Sequence, residues 1–364
     1  MKILHLSKLY PPFKGGIETV AFDLVEETKK YADQVDVLCI TETNKSSIEA
    51  QDKSVIFRCS SIIHLFSTYL SISYLFKWIK IRNNYDVVHI HVPNPLAAFC
   101  LFLFPTKSKI VVHWHSDIVK QKFLKKVLSP IHNSLLKRCE FIVATSRRYA
   151  KASHELSSHR NKLKVIPIGI SSDRLVVSQT KIEEIVNSCP KHIILSLGRH
   201  VYYKGFEYLI DSAKFLSDDY VILIGGQGEL TNALKQRVLS LGLEHKVKFI
   251  GRISDQDLGS YYRAASVFCL PSIERSEAFG VVQLEAMSQG IPIVSTNIEG
   301  SGVGWVNKHG VSGYVVPPKN DKALADAFVH ICESRELDEK VIVNRFETLF
   351  SREVMANEFR KIYL

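Results

Sequence analysis

Two glutamates stand in the most specific pattern of this sequence. Glu277 precedes Gly280, where we expect a helix to begin, and Glu285 lies inside that helix. An ionised carboxylate accepts several hydrogen bonds, so such a pair is suited to hold the hydroxyl groups of a sugar. We therefore predict that both glutamates bind a polyhydroxylated ligand. Two ordinary solvated glutamates are the alternative.

Two cations lie between a predicted strand and a predicted helix. Arg199 can form bidentate hydrogen bonds with phosphate oxygens, and Lys204 adds a compact positive charge at the helix start. The free amide groups at a helix N-terminus also attract anions. The combination predicts a site that holds a diphosphate without a metal ion. The alternative is a pair of solvated loop cations.

A pair of adjacent glycines, Gly15 and Gly16, separates the first predicted strand from a helix. Glycine lets the backbone come close to a ligand, and the start of the helix offers free amide groups. A second loop facing a phosphate is one interpretation. An ordinary tight turn is the other.

Three polar residues with alternate spacing end another predicted strand. His113, His115 and Asp117 would point to one side if the strand continued that far. The residue types suggest a metal site, but the sequence does not place the further ligands that a metal needs. We therefore predict no metal site, a hydrogen bond from His115 to a substrate, and a structural role for His113.

Short β-branched runs alternate with stretches of helical period, which predicts parallel sheets covered by helices on both faces. Predicted strands lie at 2–6, 35–40, 87–91, 109–113, 141–145, 164–168, 192–197, 220–225, 247–250, 266–270 and 291–295. The periodicity lapses between about 169 and 190. We predict two doubly wound, Rossmann-like α/β domains, 1–175 and 176–364. Such sheets bind ligands beyond the carboxyl ends of their strands, so the functional residues should face a cleft between the domains. A last helix that packs back on the first domain is compatible with this division.

Composition and charge narrow the class of protein. The chain has 364 residues, 46% of them hydrophobic and 23% charged, so a disordered or fibrous protein is excluded. Its seven cysteines form no CxxC pair, which is typical of reduced, buried thiols. Residues 1–170 hold 25 Lys and Arg against 13 Asp and Glu, so the excess of positive charge lies in the first half. Nucleic acid, an anionic membrane or a phosphorylated substrate would each suit that half, and a solvated basic surface without a partner is the alternative.

These motifs together resemble the retaining glycosyltransferases of family 4, which have the GT-B fold. The likeness covers essentially the whole chain and is carried by three runs: Gly15-Gly16, Gly198-Arg199 with Lys204-Gly205, and Glu277-Ala-Phe-Gly to Glu285-Ala-Met. The segment after Gly300 departs from the Gly-Gly-x-Pro-Glu pattern of the family, so the role of that glutamate is not assigned to any residue of this sequence. Stretches such as His113-Trp-His-Ser-Asp are similar to bacterial enzymes that build O-antigen and related surface polysaccharides, several of them mannosyltransferases.

The resemblance implies a role for each site residue. Arg199 and Lys204 would neutralise the diphosphate of a nucleotide-sugar donor, and Glu277 would contact the sugar hydroxyls. Glu285 would hold the ribose, and His115 would contact the donor sugar near the reacting carbon. Backbone amides of Gly16, Val281 and Val282 would complete the phosphate site, and Gly15, Gly198 and Gly280 also belong to the expected donor site.

The resemblance implies a metal-independent, retaining hexosyltransferase, without cofactor, that acts on a glycan or lipid-linked acceptor of bacterial surface polysaccharide synthesis. GDP-mannose is the favoured donor, and a UDP-hexose or UDP-N-acetylhexosamine is the alternative. A nucleotide-sugar 2-epimerase and a non-catalytic protein that binds glycans or nucleic acid also remain open. The run Asp255-Gln-Asp257 has the spacing of a metal-binding motif from a different glycosyltransferase fold. We interpret it instead as the capped start of a helix.

A cluster of lysines in the basic half indicates a membrane partner. Lys120, Lys122, Lys125 and Lys126 alternate with apolar residues, a pattern typical of an amphipathic helix on an anionic membrane. An ordinary surface helix with one face toward the core is the alternative. No signal peptide is evident. We expect a cytoplasmic protein that attaches peripherally to the inner face of the cell membrane and does not bind nucleic acid.

Overall fold

The computed structural model describes residues 1–13, 15–61, 63–65, 68–117 and 122–364, without the side chains of 63–65, 68 and 122–128. Sixteen strands lie in this described part of the chain. They are β1 (Lys2–Leu6), β2 (Gln34–Thr41), β3 (Ser47–Gln51), β4 (Ser54–Ser60), β5 (Ile63–Leu65), β6 (Thr68–Leu70), β7 (Val87–Val92), β8 (Lys109–Trp114), β9 (Phe141–Ala144), β10 (Leu163–Val165), β11 (His192–Leu197), β12 (Tyr220–Gly225), β13 (Val247–Gly251), β14 (Val267–Leu270), β15 (Ile293–Thr296) and β16 (Gly313–Val316).

Helices connect most of these strands. The α-helices are α1 (Gly16–Thr28), α2 (Ile72–Ile81), α3 (Pro95–Leu103), α4 (Lys122–Arg138), α5 (Arg147–Ala152), α6 (Gln179–Asn187), α7 (Phe206–Ser212), α8 (Thr231–Ser240), α9 (Asp255–Ala264), α10 (Val282–Ser288), α11 (Val303–Val306), α12 (Asp321–Ser334), α13 (Glu339–Leu349) and α14 (Arg352–Tyr363). No helix in the described parts of the chain combines the length and the apolar character needed to cross a bilayer.

The chain divides into two compact units. The first contains Met1–Ile170 together with Arg352–Leu364, so the last helix, α14, belongs to it. The second contains Ser171–Ser351. The observed division after Ile170 lies slightly before the one predicted at 175. The stretch 169–190, predicted as irregular, contains α6, a short helix in which only Ile185 is buried.

The first unit is built on an eight-stranded sheet with the order β10-β9-β8-β7-β1-β2-β4-β3. All its pairs are parallel except β3 with β4, which closes one edge. Every residue of β7 is buried, as expected for a strand covered on both faces. The strands β3 to β6 were not predicted. β3 is fully exposed, β5 and β6 are only three residues long, and the sequence of β4 mixes apolar residues with Ser54, Arg58 and Ser60.

The second unit has a six-stranded, fully parallel sheet with the order β13-β12-β11-β14-β15-β16. Its core is apolar and is formed by the inner faces of the central strands and of the helices α7 and α12. The strand order reverses between β11 and β14, which are neighbours in the sheet although they are not consecutive in the chain. In doubly wound sheets, the loops at such a reversal bind ligands.

Candidate active site

The loop after β11 carries both predicted phosphate-binding cations. Lys204 lies in a turn of 3₁₀ helix just before α7, and its side chain is largely buried. Gly198 packs against that side chain, since an added Cβ would lie 3.3 Å from Lys204 Cε. Arg199 is exposed, and its Nη2 lies 3.4 Å from the hydroxyl of Tyr203. One loop therefore presents a sheltered cation and an exposed cation.

Glu277 reaches the same place from the loop after β14. Its Oε2 lies 2.5 Å from Lys204 Nζ, and the side chains of both residues are about nine-tenths buried. The same oxygen accepts a hydrogen bond of 3.1 Å from Ser272. The parallel strands β11 and β14 are adjacent, so the loops at their carboxyl ends meet. The structure thus joins two residues that the sequence placed in separate motifs.

Glu285 lies on α10 in a separate set of contacts. Its Oε2 accepts a 2.8 Å hydrogen bond from the hydroxyl of Tyr262, and its Oε1 lies 3.8 Å from Arg174 Nη2. Burial raises the pKa of the Glu285 carboxyl, and the positive charges of Arg174 and Lys204 oppose that rise. The carboxylate is therefore held in one orientation by a buried phenol and an arginine.

The segment before α10 differs from its prediction. Gly280 was expected to begin the helix, but it has φ +77° and the helix begins at Val282. An added Cβ at Gly280 would lie 2.6 Å from Leu270 Cδ2, so the close packing favours glycine as well. The first backbone bonds of the turn are donated by Gln283 and Leu284. The amide groups of Val281 and Val282 precede them and have no acceptor within the helix.

Gly15 and Gly16 begin α1 in the first unit, and both are exposed. Gly15 occupies the N-cap position, and its carbonyl accepts a hydrogen bond of 3.0 Å from the amide of Thr19. The carboxylate of Glu18 lies over Gly15, because an added Cβ there would collide with Glu18 Oε2. An anion at this turn would meet that carboxylate unless its flexible side chain moved away.

His115 follows the end of β8 and is 5% exposed. Its Nε2 lies 3.1 Å from Nδ1 of His91 on the neighbouring strand β7. Burial lowers the pKa of His115 to about 3, so its imidazole is neutral at physiological pH. Asp117 was expected on the same side if the strand continued, but β8 ends at Trp114. Asp117 instead accepts a hydrogen bond from the Trp114 indole and thus lies apart from the histidines.

The sequence of each unit matches one glycosyltransferase domain. Residues 14–174 match Glycosyltransferase Family 4, and residues 178–347 match Glycosyl transferases group 1. The D-rhamnosyltransferase WbpZ of Pseudomonas aeruginosa is 32% identical, over 96% of this chain and 92% of that protein. The chain belongs to the family 4 glycosyltransferases. The O-antigen chain mannosyltransferase C of Escherichia coli is 29% identical to this glycosyltransferase, over 100% of this chain and 98% of that protein.

Solved structures share the fold of this glycosyltransferase. HepE of Anabaena, in complex with UDP and glucose, aligns with a TM-score of 0.79 and 20% identity, over 100% of this chain and 99% of that one. Sucrose-phosphate synthase of Thermosynechococcus elongatus aligns with a TM-score of 0.81 and 20% identity, over 100% and 98% of the two chains. At this level of identity the likeness establishes the fold, which is the predicted GT-B fold with two Rossmann-like domains.

The contacts of Glu285 show what the sequence analysis of this glycosyltransferase missed. Tyr262 and Arg174 belong to no motif, and each is far from Glu285 in the sequence. The tyrosine lies on α9, in a helix whose acidic start drew attention instead. Ser254 caps that helix by accepting a hydrogen bond of 3.2 Å from the amide of Asp257. The prediction that the acidic pair marks a capped helix start is confirmed.

The predicted membrane lysines fall largely outside the described atoms. Lys120 lies outside the described residues. Lys122, Lys125 and Lys126 belong to α4, a helix with a described backbone whose side chains at 122–128 are not described. The amphipathic character of this segment therefore stays a prediction.

Proposed function

We propose that this glycosyltransferase moves a hexose, with mannose from GDP-mannose as the favoured donor, to a glycan or lipid-linked acceptor with retention of configuration. The acceptor belongs to a bacterial surface polysaccharide such as an O-antigen, lipopolysaccharide or capsule. Two relatives aligned over nearly the whole chain, the O-antigen mannosyltransferase and the D-rhamnosyltransferase WbpZ, support this choice of reaction. A phosphatidyl-myo-inositol mannosyltransferase of Mycobacterium leprae, 26% identical over 96% of this chain, supports a lipid-linked acceptor.

The observation that carries the proposal is the buried contact between Lys204 and Glu277. A cation that is held by a carboxylate beside an exposed arginine suits a ligand that presents both a diphosphate and hydroxyl groups. In this proposal Lys204 and Arg199 stabilise the negative charge that grows on the leaving diphosphate. Glu277 accepts hydrogen bonds from the donor sugar, and Glu285 accepts them from the ribose.

We propose retention of the anomeric configuration because both carboxylates already have hydrogen-bond or ion-pair partners. Glu277 is paired with Lys204 and Ser272, and Glu285 with Tyr262, so neither is an uncommitted nucleophile. The acceptor hydroxyl then attacks the face that the diphosphate leaves, and the departing phosphate takes its proton. Because the two cations supply the positive charge, we propose that the donor diphosphate requires no metal ion. His115 contacts the donor sugar as a neutral imidazole.

A panel of donors tests this function. The protein is incubated with GDP-mannose, UDP-glucose or UDP-N-acetylglucosamine, each with and without a lipid-linked acceptor, and nucleotide release and the product are measured. We expect release that depends on the acceptor and a product with the anomeric configuration of the donor, as read from its NMR coupling constants. Inversion would contradict the proposed mechanism. Nucleotide release without any acceptor would indicate the epimerase, and no turnover of any donor would indicate a binding protein.

We further propose that the first unit docks on the anionic inner face of the cell membrane. Apolar side chains of α2 and α3 are at least 40% exposed, namely Ile72, Phe76, Phe99, Phe102 and Leu103. Helix α3 packs against the lysine-rich helix α4. Insertion of apolar side chains next to basic residues is typical of peripheral membrane proteins, and each basic residue adds about 1 kcal/mol near an anionic surface.

Flotation with liposomes tests the docking. We expect the protein to float with vesicles that contain phosphatidylglycerol and not with pure phosphatidylcholine. The double change Phe76→Ser and Phe102→Ser should reduce flotation, whereas Leu239→Ser, an equally exposed site in the second unit, should not. Equal flotation of all three proteins would contradict the proposed surface.

A further inference from the structure

Five histidines form a buried layer on one face of the first unit's sheet. They are His5 on β1, His89 and His91 on β7, and His113 and His115 at β8. The strand register places His5 beside His89 and His91 beside His113. Four of the five are at most 1% exposed, and His115, at the strand end, is 5% exposed. We call this set the histidine layer.

Three members of the histidine layer are joined by hydrogen bonds in a chain. His5 Nδ1 lies 3.2 Å from His91 Nε2, and His91 Nδ1 lies 3.1 Å from His115 Nε2. His89 is outside this chain, because its Nδ1 bonds to the hydroxyl of Tyr363 at 2.7 Å. The chain therefore leads from a fully buried ring to the least buried one.

The direction of the hydrogen bond between His5 and His91 fixes the direction of the one between His91 and His115. Burial keeps the three rings neutral, and a neutral imidazole has one N–H and one lone pair. His91 uses both nitrogens, so it donates to one neighbour and accepts from the other. Only two arrangements satisfy both contacts, and each fixes the tautomer of all three rings.

The ring at the buried end of this hydrogen-bonded series, His5, distinguishes the two arrangements. Nε2 of His5 is buried and has no partner among the described residues. If His115 donated inward, this nitrogen would carry a buried N–H without an acceptor, and such orphaned donors are rarer in proteins than unused acceptors. If His5 donates outward through Nδ1, the same nitrogen keeps only a lone pair. The second arrangement leaves His115 with its proton on Nδ1.

We propose that His91 is a positioning residue that holds His115 as the neutral Nδ1–H tautomer, so that His115 acts as a hydrogen-bond donor toward an oxygen of the sugar nucleotide. This inference rests on the proposed function for the identity of the ligand. A neutral donor is suited to a sugar hydroxyl or a phosphate oxygen, since it offers a proton without needing to become charged. The tautomer itself is independent of any substrate.

Imidazole nitrogen NMR of the full-length protein tests the tautomer. Long-range ¹H–¹⁵N correlation separates Nδ1–H from Nε2–H rings, and loss of one signal set in His115→Gln assigns that residue. We expect a single Nδ1–H pattern for His115 in the wild type and a changed pattern in His91→Leu. An Nε2–H pattern in the wild type, or an unchanged pattern in His91→Leu, would overturn the proposal. So would a stoichiometric transition metal in the purified protein, because an ion across His91, His113 and His115 would replace the shared proton.

Kinetics with a matched control separate positioning from packing. His91→Leu should lower kcat about tenfold, the size expected for one lost hydrogen bond, and His91→Asn should recover part of that loss because its amide can still donate to His115. His89→Leu removes an equally buried imidazole two residues away on the same strand face and should leave kcat and the His115 signals unchanged. Equal losses of kcat in both leucine variants would contradict the role of His91. If the NMR result holds while no sugar nucleotide is turned over, the proposed function fails and the tautomer assignment stands.

Discussion

Removal of the positive charge of Lys204 is the most direct test of the proposed diphosphate site. The change Lys204→Met keeps the length of the side chain and its apolar stem, but it takes away the ammonium group that lies 2.5 Å from Glu277 Oε2. Glu277 keeps its hydrogen bond from Ser272, so its carboxylate is not left without any partner. The variant should therefore fold, with a reduced melting temperature.

The expected fall in kcat of Lys204→Met can be estimated from the electrostatic interaction of Lys204 with the diphosphate at a site sheltered from water. Two unit charges about 4 Å apart interact by about 4 kcal/mol at an effective dielectric constant of about 20. The bound donor diphosphate already carries two negative charges, and a further charge grows in the transition state as the bond to the sugar breaks, so Lys204 stabilises the transition state more than the bound donor and its removal raises the barrier. A loss of about 3 kcal/mol corresponds to a fall in kcat of about 10²-fold.

The assay compares nucleotide release by Lys204→Met with that by Lys246→Met. Lys246 is a suitable control because its side chain is similarly buried, at 14% exposed, and it also pairs with a carboxylate, that of Asp218 at 3.1 Å. It precedes β13 and therefore lies at the amino ends of the parallel strands, opposite to the carboxyl ends that carry Lys204 and Glu277. We expect the control to retain its turnover. Normal turnover by folded Lys204→Met would refute the assignment of the diphosphate site.

Four further outcomes are expected. Arg199→Ala should lower kcat by about 10²-fold. Because the side chain is exposed, the melting temperature should hardly change; values of kcat and KM that match those of the wild type would contradict its role. Burial raises the pKa of Glu285 in the folded state, so the wild type loses stability as the pH rises from the ordinary pKa of 4.5 through the raised one; Glu285→Gln should lack this loss and should have lower donor affinity in calorimetry, and melting temperatures of the two proteins that run parallel over that pH range would contradict this. Burial lowers the pKa of the five layer histidines, so their contribution to stability is present above the ordinary pKa of about 6.5 and is lost as the pH falls below it, by about 1 kcal/mol per histidine for the first pH unit; a free energy of unfolding in urea that is the same at about pH 5 and about pH 7 would contradict this. EDTA should leave turnover unchanged, and loss of activity that magnesium restores would show that the donor diphosphate needs a metal ion.

The fold could be predicted because buried strands have short apolar runs that are visible in the sequence. The runs at 2–6, 87–91 and 192–197 consist mostly of apolar residues, and the structure has strands at each of them. Exposed elements escaped prediction because they have no such signal. β3 is exposed along its whole length, and α6 has only one buried residue, Ile185.

The candidate site could be predicted only in part. Motif spacing drew attention to Lys204 and Glu277, but nothing in their spacing indicated that Nζ and Oε2 would form an ion pair. Tyr262 carries no signal at all, since a tyrosine in an amphipathic helix normally contributes to a core. Its hydroxyl bonds to Glu285 because α9 and α10 are brought together by packing in the second unit.

The sequence by itself determined the residue types that can do chemistry, the alternation of strands and helices, and the family of the chain. These properties depend on local composition and periodicity, which can be determined from neighbouring residues in the sequence. The tertiary structure alone decided which of those residues touch. The sheet order placed the loops of β11 and β14 side by side, and the strand register stacked five histidines from three strands into one layer. Side chains far apart in the chain acquire their partners, their protonation states and their orientation only when the sheet brings them together and excludes water.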